Sequence, residues 1–432
     1  MITTMALAFA LTGPGSLADT LPVVTLREAL QQAVQLDPDY VQSLGFLHNA
    51  ESARRTALLV FVLPTVTASA DYSQLSTKQF NIGTGSAANA TARASIDARY
   101  ELFTGGRKLA DAKRTAADLE STQAGELGAR FAAALEVERD YYTVLGSREL
   151  DDVARQRLTR AREALVTARA RVVSGATVQS DSLQVLLEVQ RAEVEVLRSG
   201  ARLVVARLQL GRRIGRSSPV DAAPLDSLPP PTLPLSLDDA VMQAVAQGPS
   251  WRQARANEHS ANLQIRSRQG SYFPTVTLTG SLGKFDDKFF PTETTRRSVG
   301  FSISLPVWDG GQRELAIARL KSSRDVTRAI REDLERAARR DVTEAYSNFD
   351  VSRQAFAISL TGVSVAIEIL RVQQSRYRAG AGTVLELLDA QSQLVLAQAD
   401  LVQARYGVRL ARAALEAMLG HRLTNDTDRS TP

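Results

Sequence analysis

Residues 376–420 read RYRAGAGTVLELLDAQSQLVLAQADLVQARYGVRLARAALEAMLG, and the fold is decided there. Gly380 and Gly382 interrupt one helical pattern. A second begins at Thr383 and runs to Leu419 with no proline and one glycine, Gly407. Leu387, Leu394, Leu401, Val408 and Leu415 recur every seventh residue, and Ala390, Ala397, Ala404, Ala411 and Met418 fill the position three further on. A seam of large residues on one line and mostly alanine on the next predicts a helix that lies close against other helices along its whole length. Glu386 and Asp389, three apart, put two carboxylates on one face of its first turn.

The stretch occurs twice. Subtracting 205 moves Gly380 onto Gly175, Glu386 onto Asp181, Leu388 onto Leu183 and Leu419–Gly420 onto Ile214–Gly215. Trp308-Asp309-Gly310-Gly311 lands on Phe103-Thr104-Gly105-Gly106, and Tyr346 lands on Tyr141. Nearer the N-terminus the offset is 211 for Leu26–Ala29 against Leu237–Ala240, and 210 for Pro64 against Pro274. One loop between the prolines and the glycine pairs therefore differs in length between the halves. Register kept over nearly the whole chain implies tandem duplication. The expected organisation is a first repeat over 19–215, a proline-rich linker or outer belt over 216–235, a second repeat over 236–420 and a polar, disordered tail over 421–432.

Composition excludes several functions. The chain has 432 residues and a formal charge of +5, with 6% aromatic residues and no cysteine. Lack of cysteine removes disulfides, thiolate metal sites and a lipidated N-terminal cysteine. His48, His259 and His421 are the only histidines, and none has a second at ligand spacing. No nucleophile elbow, zinc helix or phosphate loop is present, so neither an enzyme nor a cofactor is expected. The basic balance does not point to nucleic acid, because Asp325, Glu332, Asp333, Glu335 and Asp341 are interleaved with the arginines of 324–344. Residues 1–18 read as a shortened export signal, with an apolar core at Met5–Leu11 and small Ser16 and Ala18, or as an apolar tail, since the first basic residue is Arg27. No later segment reaches the roughly 20 uninterrupted apolar residues of a membrane helix.

After Pro64 the period changes from helical to two. Thr65, Thr67, Ser69 and Asp71 alternate with Val66, Ala68, Ala70 and Tyr72; a Gly/Ser/Asn-rich loop is expected over 76–89; Arg93 to Tyr100 alternates again. Thr275–Leu282 and Ser298–Leu305 repeat the pattern. These predict two hairpins, 65–103 and 275–308, whose four strands of eight to ten residues each have one apolar and one polar face. Such lengths suit tilted strands in a bilayer, and equally a soluble sandwich with one wet face. Tyr72, Tyr100, Phe103, Tyr272 and Trp308 are expected at strand ends, as in an interfacial aromatic girdle. After each Gly-Gly pair comes a proline-free helical pattern, Arg107 to about Val173 and Gln312 to about Ala379, each roughly 100 Å long if unbroken.

Four amphipathic strands cannot close a barrel, and open edges are untenable in lipid, so other copies must supply the rest. The order of these parts, twice over, resembles the TolC family of outer-membrane efflux channels over about Leu26 to Gly420. The resemblance rests on the duplication, the hairpin after the proline, the aromatic-x-Gly-Gly helix start and the glycine turn with its D/E-x-L element. It implies a mostly helical fold with a β-barrel part: a homotrimer whose twelve-stranded barrel sits in outer-membrane lipid and whose helical barrel extends into the periplasm. It also implies docking to a periplasmic adaptor and an inner-membrane pump, as a passive duct for efflux or type I secretion. In the family's namesake, the acids of a V-D-V-L-D stretch line the narrowest entrance. Leu385-Glu386-Leu387-Leu388-Asp389 matches it, which makes Glu386 and Asp389 entrance residues by resemblance, with Asp181 at the matching position of the first turn. A helix start favours such acids by itself, by about 0.3–1 kcal/mol. The alternative is a soluble periplasmic coiled-coil adaptor or scaffold.

Overall fold

A computed structural model of the chain describes residues 21–81, 85–225, 232–286 and 294–423. The expected export signal lies outside them. The described residues form two compact units, and these cut across the repeats: one takes the described residues of Met1–Asp37, Ala134–Pro231 and Val351–Leu410, the other those of Pro38–Ala133, Thr232–Asp350 and Ala411–Pro432. Each repeat contributes to both because its long helix is continuous. These helices are α3 (Arg107–Val173) and α7 (Gln312–Arg378), each 67 residues long.

In the first unit the chain enters through β1 (Val23–Val24) and α1 (Leu26–Val34). Thr25 and Glu28 close a capping box at the start of α1, each side chain accepting from the other's backbone N–H. The return helix of the first repeat is α4 (Gln179–Arg213), followed by β4 (Asp221–Ala222), which pairs in parallel with β1. This corrects the expectation of a linker or outer belt at 220–222; residues 226–231 lie outside the described residues. Val220 and Ala222 are fully buried with Ala29, Ala33, Tyr141 and Leu210, where the two-residue ladder holds them against the core. Tyr141 Oη donates to the Ala223 carbonyl at 2.8 Å, and Asp221 accepts from Arg148 and Arg207. Burial alone would raise the Asp221 carboxyl, but these hydrogen bonds outweigh it and hold the group below the usual range.

The second return helix, α8 (Val384–Leu419), carries the seven-residue seam. Leu387, Ala390, Leu394, Val408 and Leu415 are buried as the periodicity requires, whereas Met418 is exposed and its neighbour Leu419 is buried instead. An α-helix drifts by about 20° per heptad against a strict 3.5 repeat, enough to shift the last contact by one position. Tyr406 Oη and Arg405 Nη1 both reach Glu149, at 2.6 and 2.8 Å, tying α8 to α3. Among the described residues, α7 is the one helix long and apolar enough by composition to cross a membrane. Ile358, 71% exposed, shows that part of the apolar surface of α7 is uncovered among the described residues.

The second unit holds α2 (Pro38–Leu59), α5 (Leu237–Gln247), α6 (Pro249–Gln269) and a four-stranded antiparallel sheet. Its strands are β2 (Thr65–Asn81), β3 (Ser86–Phe103), β5 (Thr275–Asp286) and β6 (Thr294–Ser304), in the order β2-β3-β5-β6. The expected loop over 76–89 is largely strand. Gln79, Phe80 and Asn81 pair with Ala88, Ala87 and Ser86 after a register shift, so β2 and β3 reach 17 and 18 residues. Composition suggested a loop; cross-strand pairing overrides it. Leu423, in the stretch expected as a tail, is buried against Ala240, Val342 and Leu415, and residues 424–432 lie outside the described residues.

Candidate functional site

The two glycine turns lie in the first unit and share one backbone solution. After α3, the Ala176 N–H reaches the Arg171 carbonyl and the Gly175 N–H reaches Val172. After α7, the Ala381 N–H reaches Arg376 and the Gly380 N–H reaches Tyr377. This is the paired bond pattern that ends a helix through one left-handed residue, and Gly175 and Gly380 have φ of 71° and 80°. Gly382 serves differently. A Cβ there would stand 3.2 Å from Glu386 Oε2 and 3.3 Å from the Tyr377 nitrogen, so a side chain would fit only if these neighbours gave by a few tenths of an ångström.

The side chains differ between the turns. Glu386 is engaged in a capping box: Thr383 N–H donates to its Oε2 and its own N–H donates to Thr383 Oγ1, both at 3.2 Å. Arg376 Nη1 stands 3.8 Å from the same carboxylate. Asp389 is exposed and accepts from Gln393 Nε2 at 2.6 Å. Asp181, half-buried, accepts from the Thr177 hydroxyl. Thus all three acids sit at the starts of the return helices, and of the three only Glu386 belongs to a side-chain cap.

Sequence reasoning missed the link between the turns. Arg171 donates to the Tyr377 carbonyl, a last-turn carbonyl of α7, and its guanidinium stacks 4.5 Å from the centre of the Tyr377 ring. Tyr377 is buried among Ala164, Ala168, Val185 and Leu387. Burial raises its hydroxyl pKa, against the opposing charge of Arg171. A Thr383-x-x-Glu386 spacing could have signalled the cap. The Arg171–Tyr377 contact joins positions 206 apart and has no local signal.

The sheet is the second candidate region. On its polar face, directly opposed hydroxyls bond across strands: Ser69 with Ser95 and Ser73 with Thr91 at 2.9 Å, Ser281 with Ser298 at 2.8 Å. On the other face Val66, Ile96, Leu282, Val299 and Phe301 are exposed, Val299 by 83%. Neither β2 nor β6 has an outer partner among the described residues. Tyr100 is paired with Leu278 near the start of β5, Phe103 is paired with Val276, and Tyr272 and Trp308 flank β5 and β6. Tyr100 Oη donates to the Phe61 carbonyl at 2.6 Å and Tyr272 Oη to Glu314 at 2.8 Å, while Trp308 is exposed. Tyr72 lies inside the lengthened β2 and not at its end. It pairs with Ala92, which faces Asp286, eight residues along β5 from Leu278 and roughly 26 Å away. No cluster of metal-binding side chains occurs among the described residues.

Comparison with known proteins gives one family. The outer membrane efflux protein family matches residues 29–216 and 240–421. The chain is 25% identical to the outer membrane efflux protein BepC of Brucella suis over 66% of this chain and 62% of that protein. It is 26% identical to the outer membrane protein TolC of Escherichia coli K12 over 43% of this chain and 41% of that protein. The matched regions thus span less than two thirds of these relatives. Among solved structures, a membrane protein from Pseudomonas aeruginosa superposes with a TM-score of 0.79 at 20% identity, covering 99% of both chains, which shows the shared fold.

Proposed function

Since the chain belongs to the outer membrane efflux protein family, we propose that it is a passive exit duct in the outer membrane, assembled as a homotrimer. The observation that carries the reading is the sheet: one apolar exposed face, one hydroxyl-lined face and two open edges. Each unpaired backbone group in hydrocarbon costs several kcal/mol, so the edges must meet other strands. Three copies give twelve strands and a lumen; two would give a bore filled by side chains. Tyr100, Phe103, Tyr272 and Trp308 would mark one lipid–water boundary, with Tyr72 near the other. The unpartnered apolar surface of α7 would face neighbouring copies. Family membership supports a periplasmic adaptor and an inner-membrane pump as partners, the pump supplying the energy.

The glycine turns are the proposed entrance. Asp389 is the principal acid there, with Asp181 and the cap-forming Glu386 adding charge. A ring of such carboxylates in a wet pore favours cations and attracts multivalent ones. Purified protein in a planar bilayer should form cation-preferring channels blocked by divalent cations. E386A/D389A should lose preference and block and still insert. Channels of unchanged selectivity in that variant would remove the acids from the entrance; absence of any channel in the parent protein would remove the duct.

A further inference from the structure

A small cavity in the first unit lies between α3, the end of α7 and the start of α8, about 30 Å³ in volume, lined by Arg160, Glu163, Thr167, Tyr377, Arg378 and Gln391. Its polar groups are unbalanced. Nε and Nη2 of Arg160 are shielded from solvent without a hydrogen-bond partner, and so is Tyr377 Oη, on a residue only 2% exposed. Guanidinium nitrogens can only donate, and a buried donor left unpaired is costly. The Thr167 hydroxyl does not help, since it bonds the Glu163 carbonyl at 3.1 Å. Arg378 and Glu163, one cation and one carboxylate, are both exposed at the rim. Neither gives the shielded Arg160 Nε and Nη2 a hydrogen-bonded acceptor.

We propose that this cavity binds one small monovalent anion, chloride in ordinary salt, between the Arg160 guanidinium and the Tyr377 hydroxyl. The volume suits one halide or about two waters. Burial lowers the Arg160 pKa, and Arg157 adds to that; a bound anion offsets both. The ion would clip α3 to α7 and α8 beside the turn, so halide binding and the order of the turn are coupled. Bromide is the probe, because it scatters anomalously and fits the same space. Crystals of the full chain grown in sodium bromide should show an anomalous peak within hydrogen-bonding distance of Arg160 and Tyr377. Amide exchange of residues 379–383, followed at constant ionic strength with gluconate replacing halide, should slow saturably as bromide rises. R160Q should abolish the peak and weaken bromide binding about tenfold or more, and Y377F should weaken it by about three- to tenfold. Should R160Q fail to fold, Y377F, which removes one oxygen, still decides. Water or a neighbouring copy's carboxylate in the cavity, or exchange indifferent to bromide, would overturn the proposal.

Discussion

The helical turns and the sheet are finished to different degrees within one chain. Each turn is closed by its own backbone bonds and packed on a core that includes Tyr377, Val384 and Leu387, and of the two return helices only α8 starts with a side-chain capping box. The sheet has satisfied interior ladders and a bonded hydroxyl face, yet among the described residues its apolar face is exposed and both edges are unpaired. The difference teaches where the partner must come. A surface that the chain completes by itself will respond to mutation as stability; a surface it leaves open will respond as assembly and membrane insertion.

The largest expected effect lies on the open face. Val299→Arg puts a charge on the apolar side of β6, at a cost of about 2–4 kcal/mol per chain if that face meets lipid near its midplane. Outer-membrane insertion should fall sharply while helical circular dichroism is kept; equal insertion of the variant would break the comparison from the sheet side. Next comes the link between the turns. Arg171→Ala removes a charge-assisted bond to the Tyr377 carbonyl and a stacked cation, about 2–3 kcal/mol together. Amide exchange at 379–383 should quicken by roughly thirtyfold or more. Arg376 occupies the matching position of the second repeat but binds only its own exposed surroundings, so Arg376→Ala should change exchange by less than about fivefold. Equal effects would mean that the turns are not joined as described. The smallest effect sharpens the comparison: Gly175→Ala and Gly380→Ala should each cost about 1–2 kcal/mol, because both glycines are left-handed. A large inequality in thermal melting between them would show that one turn is held by something beyond its backbone.

What could be read from the sequence divides along the same line. The seam of α8, the two glycine turns, the Gly-Gly helix starts and the alternation in 275–282 are local patterns whose period or backbone demand is visible without the fold. Long-range pairing was not. The register that carries β2 and β3 through 76–89 sits in a stretch whose composition favours a loop, and only the partner strand makes it extended. Val220 and Ala222 belong to a proline-rich segment, and their burial depends on β1, some 200 residues earlier in the chain. Duplication helped with backbone and misled with side chains. Arg171 and Arg376 are equivalent by offset, yet one reaches the other turn and one bonds its own. The acids were picked out by pattern, and what the structure adds is that Glu386 is engaged in a capping box at the start of α8.

The claim on which the rest depends is that this sheet is closed by other copies of the same chain. Light scattering of the detergent-extracted protein, corrected for bound detergent, measures the number of chains directly. The account predicts three chains of about 46.8 kDa each, extracted from the outer-membrane fraction. A single chain that stays soluble without detergent would contradict it.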